Sequence, residues 1–232
     1  MERSELLSSS AMVPIDQQVR MAQEAPPQNG LKICIAYASP EYVHVAFVTS
    51  LILLMQHVFL KGINAALAGF QGSRITVNRN ALVEMALQAN CTHILFIDAD
   101  MKFSPDVLER LLDHDKDFVC ATACKRDGSG SALGQFMVGD ENTTKAVVQG
   151  GLIEAALIGL PLALIKLDVF KKLTKPYFAE PPLGEFPDGE DLYFCRNVRA
   201  AGYQIWCDID ISKQLGHIGS KVYYIDRAED GA

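Results

Sequence analysis

Basic residues are in short supply. Lys and Arg total 21 against 28 Asp and Glu, a formal net charge of -7 over 232 residues, so wrapping a polyanion meets general repulsion and nucleic acid is not an expected partner. An acidic chain still takes a phosphorylated small molecule where a metal ion or a few local cations reverse the field inside one pocket. A long charge-free apolar run is also lacking. The most apolar window, Val43 to Phe59, contains His44, Thr49, Ser50, Gln56 and His57, and is too short and too polar to span a bilayer. With no membrane span and no signal peptide expected, a cytoplasmic protein follows. The cysteines lack metal-site company. Cys120 and Cys124 have the spacing of half a zinc site, but no second Cys/His pair follows at ligand spacing, so reduced thiols packed in the core are expected for these and for Cys34, Cys91, Cys195 and Cys207. There is no internal repeat.

What is present is apolar material, 49% of residues against 21% charged, enough for one α/β domain with a continuous core. Residues 1–30, with Ser8-Ser9-Ser10 and Pro26-Pro27, read as a flexible arm with at most a short helix from Asp16 to Glu24. Leu31 to Tyr37 is a buried first strand, stopped by Ser39-Pro40. A helix from Val43 to Leu60 closes at Lys61-Gly62 and a second strand covers Asn64 to Gly69, the start of a parallel sheet. Asn78 to Asn90 carries Leu82, Met85, Ala86 and Ala89 on one helical face, and His93 to Ile97 is the third strand. Ser104 is the expected N-cap and Pro105 the first residue of another helix, and Phe118 to Ala123 is a fourth strand. Beyond it the alternation weakens: a glycine-rich mobile segment or hairpin at 128–142, interrupted sheet from Val147 to Leu167, and a helix from Asp168 to Thr174. A helix from Glu190 to Ala201, a strand from Gln204 to Asp208 and a polar tail through His217 complete the domain, with 221–232 as a mobile end.

In open parallel sheets ligands collect beyond the carboxyl ends of the strands, where Asp98 and Asp100 stand. Side chains two apart on an extended segment share a side, so both carboxylates converge while Ala99 turns away. Two close anions call for a cation or proton between them. On spacing alone a divalent-ion site and an ordinary polar strand end fit equally.

The stretch THILFIDADMKFSPDVLERLL resembles the metal-binding DxD segment of GT-A glycosyltransferases, and GEDLYFCRNVRAAGYQIWCD resembles the acidic helix of the family-2-like members. Arg79-Asn80 followed by ALVEMAL is similar to the Arg-Asn pair that opens a helix before the triplet, and LGHIGS resembles the late-histidine segment. The four motifs, in order, cover roughly Leu31 to Ser220. The resemblance implies a GT-A, Rossmann-like, mostly parallel central sheet flanked by helices in a single domain at 31–220, and a transferase moving a sugar from a UDP- or GDP-sugar to an unknown acceptor hydroxyl, with inversion. It implies Mn2+ or Mg2+ held by Asp98, Asp100 and His217, with Asp191 as general base and Glu190 orienting it or the acceptor. Donor contacts fall to Ala36, Tyr37, Ser39, Pro40, Arg79, Asp98 and Ala99, with Tyr37 stacking on the base; Lys125 and Arg126 are further candidates to neutralise phosphate. Family-2 enzymes usually carry an Asp-rich turn after the second strand, where this chain has AALAGFQGS.

Each of these residues also has an ordinary structural role open to it. His217 fits a surface loop, Glu190 and Asp191 are favoured at any helix start, and Tyr177, Phe178 and Trp206 fit the core as well as a sugar. A haloacid-dehalogenase-like phosphatase also carries Asp-x-Asp at a strand end, but normally on the first strand with Thr or Val next, where this chain has Met101-Lys102. A catalytically silent sugar-nucleotide binding module is the alternative from another class. A nucleotidyltransferase lacks support because Ala38 to Glu41 carries no Gly-rich basic phosphate loop.

Overall fold

The computed structural model describes residues 30–39, 41–138, 141–143, 150–180 and 189–225; all but the last residue of the expected arm, and most of the expected mobile end, lie outside them. β1 (Ile33–Ser39) leads into α1 (Val45–Leu60), whose N-cap His44 accepts the Ala46 N–H on Nδ1 at 3.1 Å. Gly62 ends the helix at φ 64°, a left-handed conformation that suits glycine. β2 (Ala65–Gln71), α2 (Ile75–Gln88), β3 (His93–Asp98), the short β4 (Met101–Lys102), α3 (Val107–Asp113) and β5 (Phe118–Ala121) follow. Then come β6 (Gly134–Val138), β7 (Glu141–Thr143), β8 (Leu152–Ile158), β9 (Leu162–Lys166), α4 (Leu167–Lys171), α5 (Glu190–Ala200), β10 (Ile205–Asp208), α6 (Ile209–Ser212), β11 (Gly216–Ile218) and β12 (Val222–Tyr223).

The main sheet has the order β2-β1-β3-β9-β5-β10-β8-β6-β7. From the pairings, β2, β1, β3, β5, β10 and β6 share one direction, while β9, β8 and β7 run against it. A small sheet, β12-β11-β4, lies beyond the end of β3. The central strands are apolar on both sides because both faces are covered. Ile33, Ile35, Leu95, Ile97, Val119 and Leu164 face α1 and α3; Cys34, Ala36, Ile94, Phe96, Phe118 and Ile165 face α2, α4 and α5. The cysteines sit as expected: all but the half-buried Cys91 are buried, and none is in a disulfide.

Two expectations are corrected. Ser104 does not cap a helix: its hydroxyl donates to Asp106 Oδ1 at 2.6 Å, and α3 begins only at Val107. The segment after β10 is not a polar tail, because α6 and β11 bury Ile211, Leu215 and Ile218. His217 is therefore no surface-loop histidine: it lies in β11, paired with Met101 of β4, and is buried. The glycine-rich segment is a hairpin in part, with β6 and β7 antiparallel.

Candidate active site

The Asp98 amide donates to Pro161 O at 2.9 Å and its Cα pairs with Ala38, which fixes the carboxyl end of β3 against both β1 and the segment entering β9. The chain then turns at Ala99-Asp100 before β4. Strand alternation therefore does not set the two carboxylates side by side, and they serve different partners.

Asp98 faces Arg79. The arginine projects from the second turn of α2 and is 3% exposed. Its Nη2 donates to Asp98 Oδ1 at 2.9 Å, and its Nη1 donates to Glu190 Oε1 at 3.1 Å and to Asp191 Oδ1. The ring of Phe178 lies under the guanidinium, 5.7 Å from Cζ. The fork thus ties the end of β3 to the first turn of α5, more than 90 residues away in sequence. A planar fork with fixed donors suits this better than a lysine. Burial pushes the Asp98 carboxyl up, partly opposed by the adjacent Arg79 charge. Asp191 is fixed twice, since Oδ2 also accepts the Leu160 N–H at 3.1 Å.

Asp100 faces the other way. Its Oδ2 lies 3.2 Å from Arg126 Nη1 and 3.4 Å from His217 Nε2. The carbonyl of Cys124 can only accept, so His217 Nδ1–H donates to it at 2.7 Å. In the neutral ring this leaves the Nε2 lone pair directed at Asp100. The hydrogen bond to Asp100 holds the His217 pKa above its ordinary value, against a smaller opposing effect of burial. Arg126 is itself anchored on Ile218 O at 3.1 Å.

Among the described residues no three His, Cys, Asp or Glu side chains form a ready metal cage. The donor set fits a divalent ion in part. Asp100 and His217 supply an oxygen and an imidazole nitrogen 3.4 Å apart, close to the ~3 Å between neighbouring ligands that each sit about 2.1 Å from one ion. Asp98 has one oxygen on Arg79.

All of these charged groups except His217, which stands behind Asp100, line a cleft of about 500 Å³ whose walls include Ala38, Tyr42, His44, Ile75, Arg79, Asp98, Ala99, Asp100, Arg126, Glu190 and Asp191. Sequence reading thus located six of the lining residues as principal site residues: Arg79, Asp98, Ala99, Asp100, Glu190 and Asp191. Other donor-site candidates lie elsewhere. Ala36 is fully buried in the core. The Tyr37 ring packs 5.6 Å from Phe47 and covers Gly69, where any Cβ would collide with it. Ser39 accepts the Gly72 N–H at the strand end, and Pro40 is outside the described residues. Tyr42 and His44, which no motif marks, also line the cleft; the signal that points to them is their place just after the carboxyl end of the first strand, where ligands collect. Tyr177 and Phe178 are buried, Phe178 stacked on Phe194 at 4.5 Å, so neither offers a face to a sugar. Trp206 packs at the core edge under the Lys116 ammonium.

No protein-family model matches the chain, and no curated protein matches it by sequence. Its fold is similar to that in the crystal structure of A197 from STIV, at 15% identity and a TM-score of 0.56 over 87% of this chain and 99% of that one. Looser similarities include a protein from Desulfovibrio desulfuricans G20 with the provisional name nucleotide-diphospho-sugar transferase, at 9% identity, TM-score 0.43, over 79% of this chain and 84% of that one. A UDP-glucose pyrophosphorylase complexed with UDP-glucose matches at 9% identity, TM-score 0.44, over 77% of this chain and 90% of that one. The fold is thus an α/β domain on a large central sheet flanked by helices. No helix among the described residues is long and apolar enough to cross a membrane.

Proposed function

We propose that the protein is a metal-dependent glycosyltransferase that moves a sugar from a UDP- or GDP-sugar to an acceptor hydroxyl, with inversion at the anomeric carbon. One observation carries the reading: Arg79, Asp98, Ala99, Asp100, Glu190 and Asp191, drawn from three distant segments, meet in one cleft at the carboxyl end of β3. A phosphatase reading gains nothing from this geometry, because the Asp98 oxygen nearest Arg79 is tied to it and the triplet lies on the third strand.

In this reading the donor diphosphate lies in the cleft alongside the Asp100–Arg126 pair, with the base toward Ala38 and Tyr42. Asp100 and His217 would hold Mn2+ or Mg2+, to which Asp98, with one oxygen tied to Arg79, offers only its other oxygen as a third ligand; when bound, the ion supplies Lewis-acid stabilisation of the leaving diphosphate. The Cys124 carbonyl keeps His217 in the tautomer that presents Nε2 to that position. Arg126 adds a positive charge beside the phosphates. Arg79 aims the Asp191 carboxylate, and the Leu160 amide fixes its second oxygen. Asp191 takes the proton from the acceptor hydroxyl as that oxygen attacks the anomeric carbon and the nucleoside diphosphate departs. Glu190, on the same guanidinium nitrogen, holds the fork in place.

The test is a panel of sugar nucleotides with Mn2+, read by thermal shift and by donor hydrolysis. Stabilisation by a nucleoside-diphosphate sugar, with slow metal-dependent hydrolysis, is expected. Stabilisation without turnover over a broad acceptor panel indicates a binding module, and release of phosphate from simple phosphomonoesters indicates a phosphatase.

A further inference from the structure

Asp191 stands on a ridge between two cavities. One is the cleft described above; the other is a groove of about 750 Å³ lined in part by Lys125, Leu133, Gln135, Leu157 and Leu192. That volume is in the range of small-molecule sites. Lys125 and Arg126 are neighbours in sequence but divide between the cavities: Arg126 lines the cleft, where it meets Asp100, and Lys125 lines the groove. Their backbone is pinned. The Lys125 amide donates to Ser131 O at 2.8 Å, the Leu133 amide donates to Ala123 O at 2.9 Å, and Cys124 bridges Ala132. Lys125 and Leu133 are therefore presented to the groove from a fixed pair of backbone segments. The Lys125 ammonium has no ion pair among the described residues, and the side chain is exposed.

The lining sorts by chemistry. Three leucines make an aliphatic wall, no aromatic ring is among the described lining residues, Lys125 supplies a positive charge, with Asp127 nearby as a weak partner, and Asp191 supplies an acceptor for a hydroxyl proton. A bare sugar ring buries its apolar face best against an aromatic side chain, which this wall does not offer. An alkyl chain suits leucines, and an anion suits Lys125.

We propose that this groove binds the acceptor, and that the acceptor is an anionic amphiphile: a hydroxyl compound with an aliphatic chain along Leu133, Leu157 and Leu192 and a carboxylate or phosphate on Lys125. This rests on the transferase reading for the word acceptor, whereas the ligand class rests on the groove alone. Titration of the full chain with three probes tests it: hexyl β-D-glucuronide, hexyl β-D-glucoside and methyl β-D-glucuronide. The hexyl glucuronide is expected to bind at least about tenfold tighter than either of the others, as one charge contact and one buried chain each imply. Lys125→Met should erase the preference for glucuronide over glucoside, and Leu133→Asn the preference for hexyl over methyl. Lys125 is exposed and Leu133 half-buried, and an unchanged melting temperature checks that the variants fold. Equal affinity for the three probes, no binding by any, or a charge preference that survives Lys125→Met overturns the proposal. Nucleotide-sugar binding by the unaltered protein, measured in parallel, separates the outcomes. Its absence counts against the transferase reading, and its presence with indifferent probes counts against the groove.

Discussion

Replacing Arg79 with methionine keeps an unbranched apolar stem but removes the guanidinium that lies over Phe178 and its charge from among Asp98, Glu190 and Asp191. Arg79 is 3% exposed, while the three carboxylates retain 32%, 18% and 21% of their side-chain exposure. Breaking a buried pair by deleting one partner costs ~3–5 kcal/mol, and the water still reaching the carboxylates favours the lower end. A loss of about 3 kcal/mol in a chain of this size corresponds to roughly 6–12 °C in melting temperature. The sign with pH is fixed by the same contacts. Burial already raises the Asp98 carboxyl and Arg79 opposes that push, so without Arg79 the Asp98 carboxyl of the folded state titrates higher still above its unfolded value. Such groups destabilise the fold above their unfolded values, and the penalty fades as pH falls and they protonate. Thermal or urea melts of Arg79→Met and the unaltered protein at pH 8 and pH 5 should show a deficit that shrinks on acidification. Arg79→Lys, which keeps the charge and loses the fork, should fall between them. A deficit under about 1 kcal/mol at pH 8, within the range of ordinary surface changes, or one that grows toward pH 5, refutes the view that Arg79 holds this cluster together.

Other outcomes follow from neighbouring residues. Asp191→Asn should leave nucleotide-sugar binding intact and reduce transfer about 10²–10⁴-fold, the usual worth of a general base; single-turnover kinetics beside calorimetry separates the two. Phe178→Ala removes a ring stacked on Phe194 and lying under Arg79 and should cost ~3–5 kcal/mol in urea unfolding. Burial, aided by the Lys166 charge, holds the His93 pKa below the ordinary 6.5, so the unfolded chain binds that proton more readily. Stability should therefore fall with pH below that value, by at most about 1.4 kcal/mol per unit from this group, and His93→Gln should flatten the profile between pH 7 and 5.

The strands were legible wherever both faces are buried, since runs such as His93 to Ile97 and Phe118 to Ala121 leave little else for the chain to do. Direction was not. The apolar pattern of β9 reads as strand in either sense, and only the pairing shows it inserted antiparallel between β3 and β5. The end of the domain misled because Gly216 to Ser220 has polar neighbours, while the burial of His217 comes from tertiary pairing with Met101. In the site, residue types at strand ends and helix starts pointed to Asp98, Asp100, Glu190 and Asp191. What spacing could not say is how Arg79 is used. A charge near the start of a helix reads as available to a phosphate, whereas three carboxylates from β3 and α5 converge on it. The division of Lys125 and Arg126 between two cavities was equally hidden, because adjacent residues separate only once the backbone is fixed.

The central claim is that the cleft beside Asp100 takes a nucleoside-diphosphate sugar with a divalent ion. Isothermal titration of the full chain with UDP-glucose and GDP-mannose, with Mn2+ and with chelator, addresses it directly. Saturable binding of one of them that requires Mn2+, and that is lost in Asp100→Asn, is the predicted result. Binding of neither, with or without the metal, or metal-dependent binding that Asp100→Asn leaves unchanged, contradicts it.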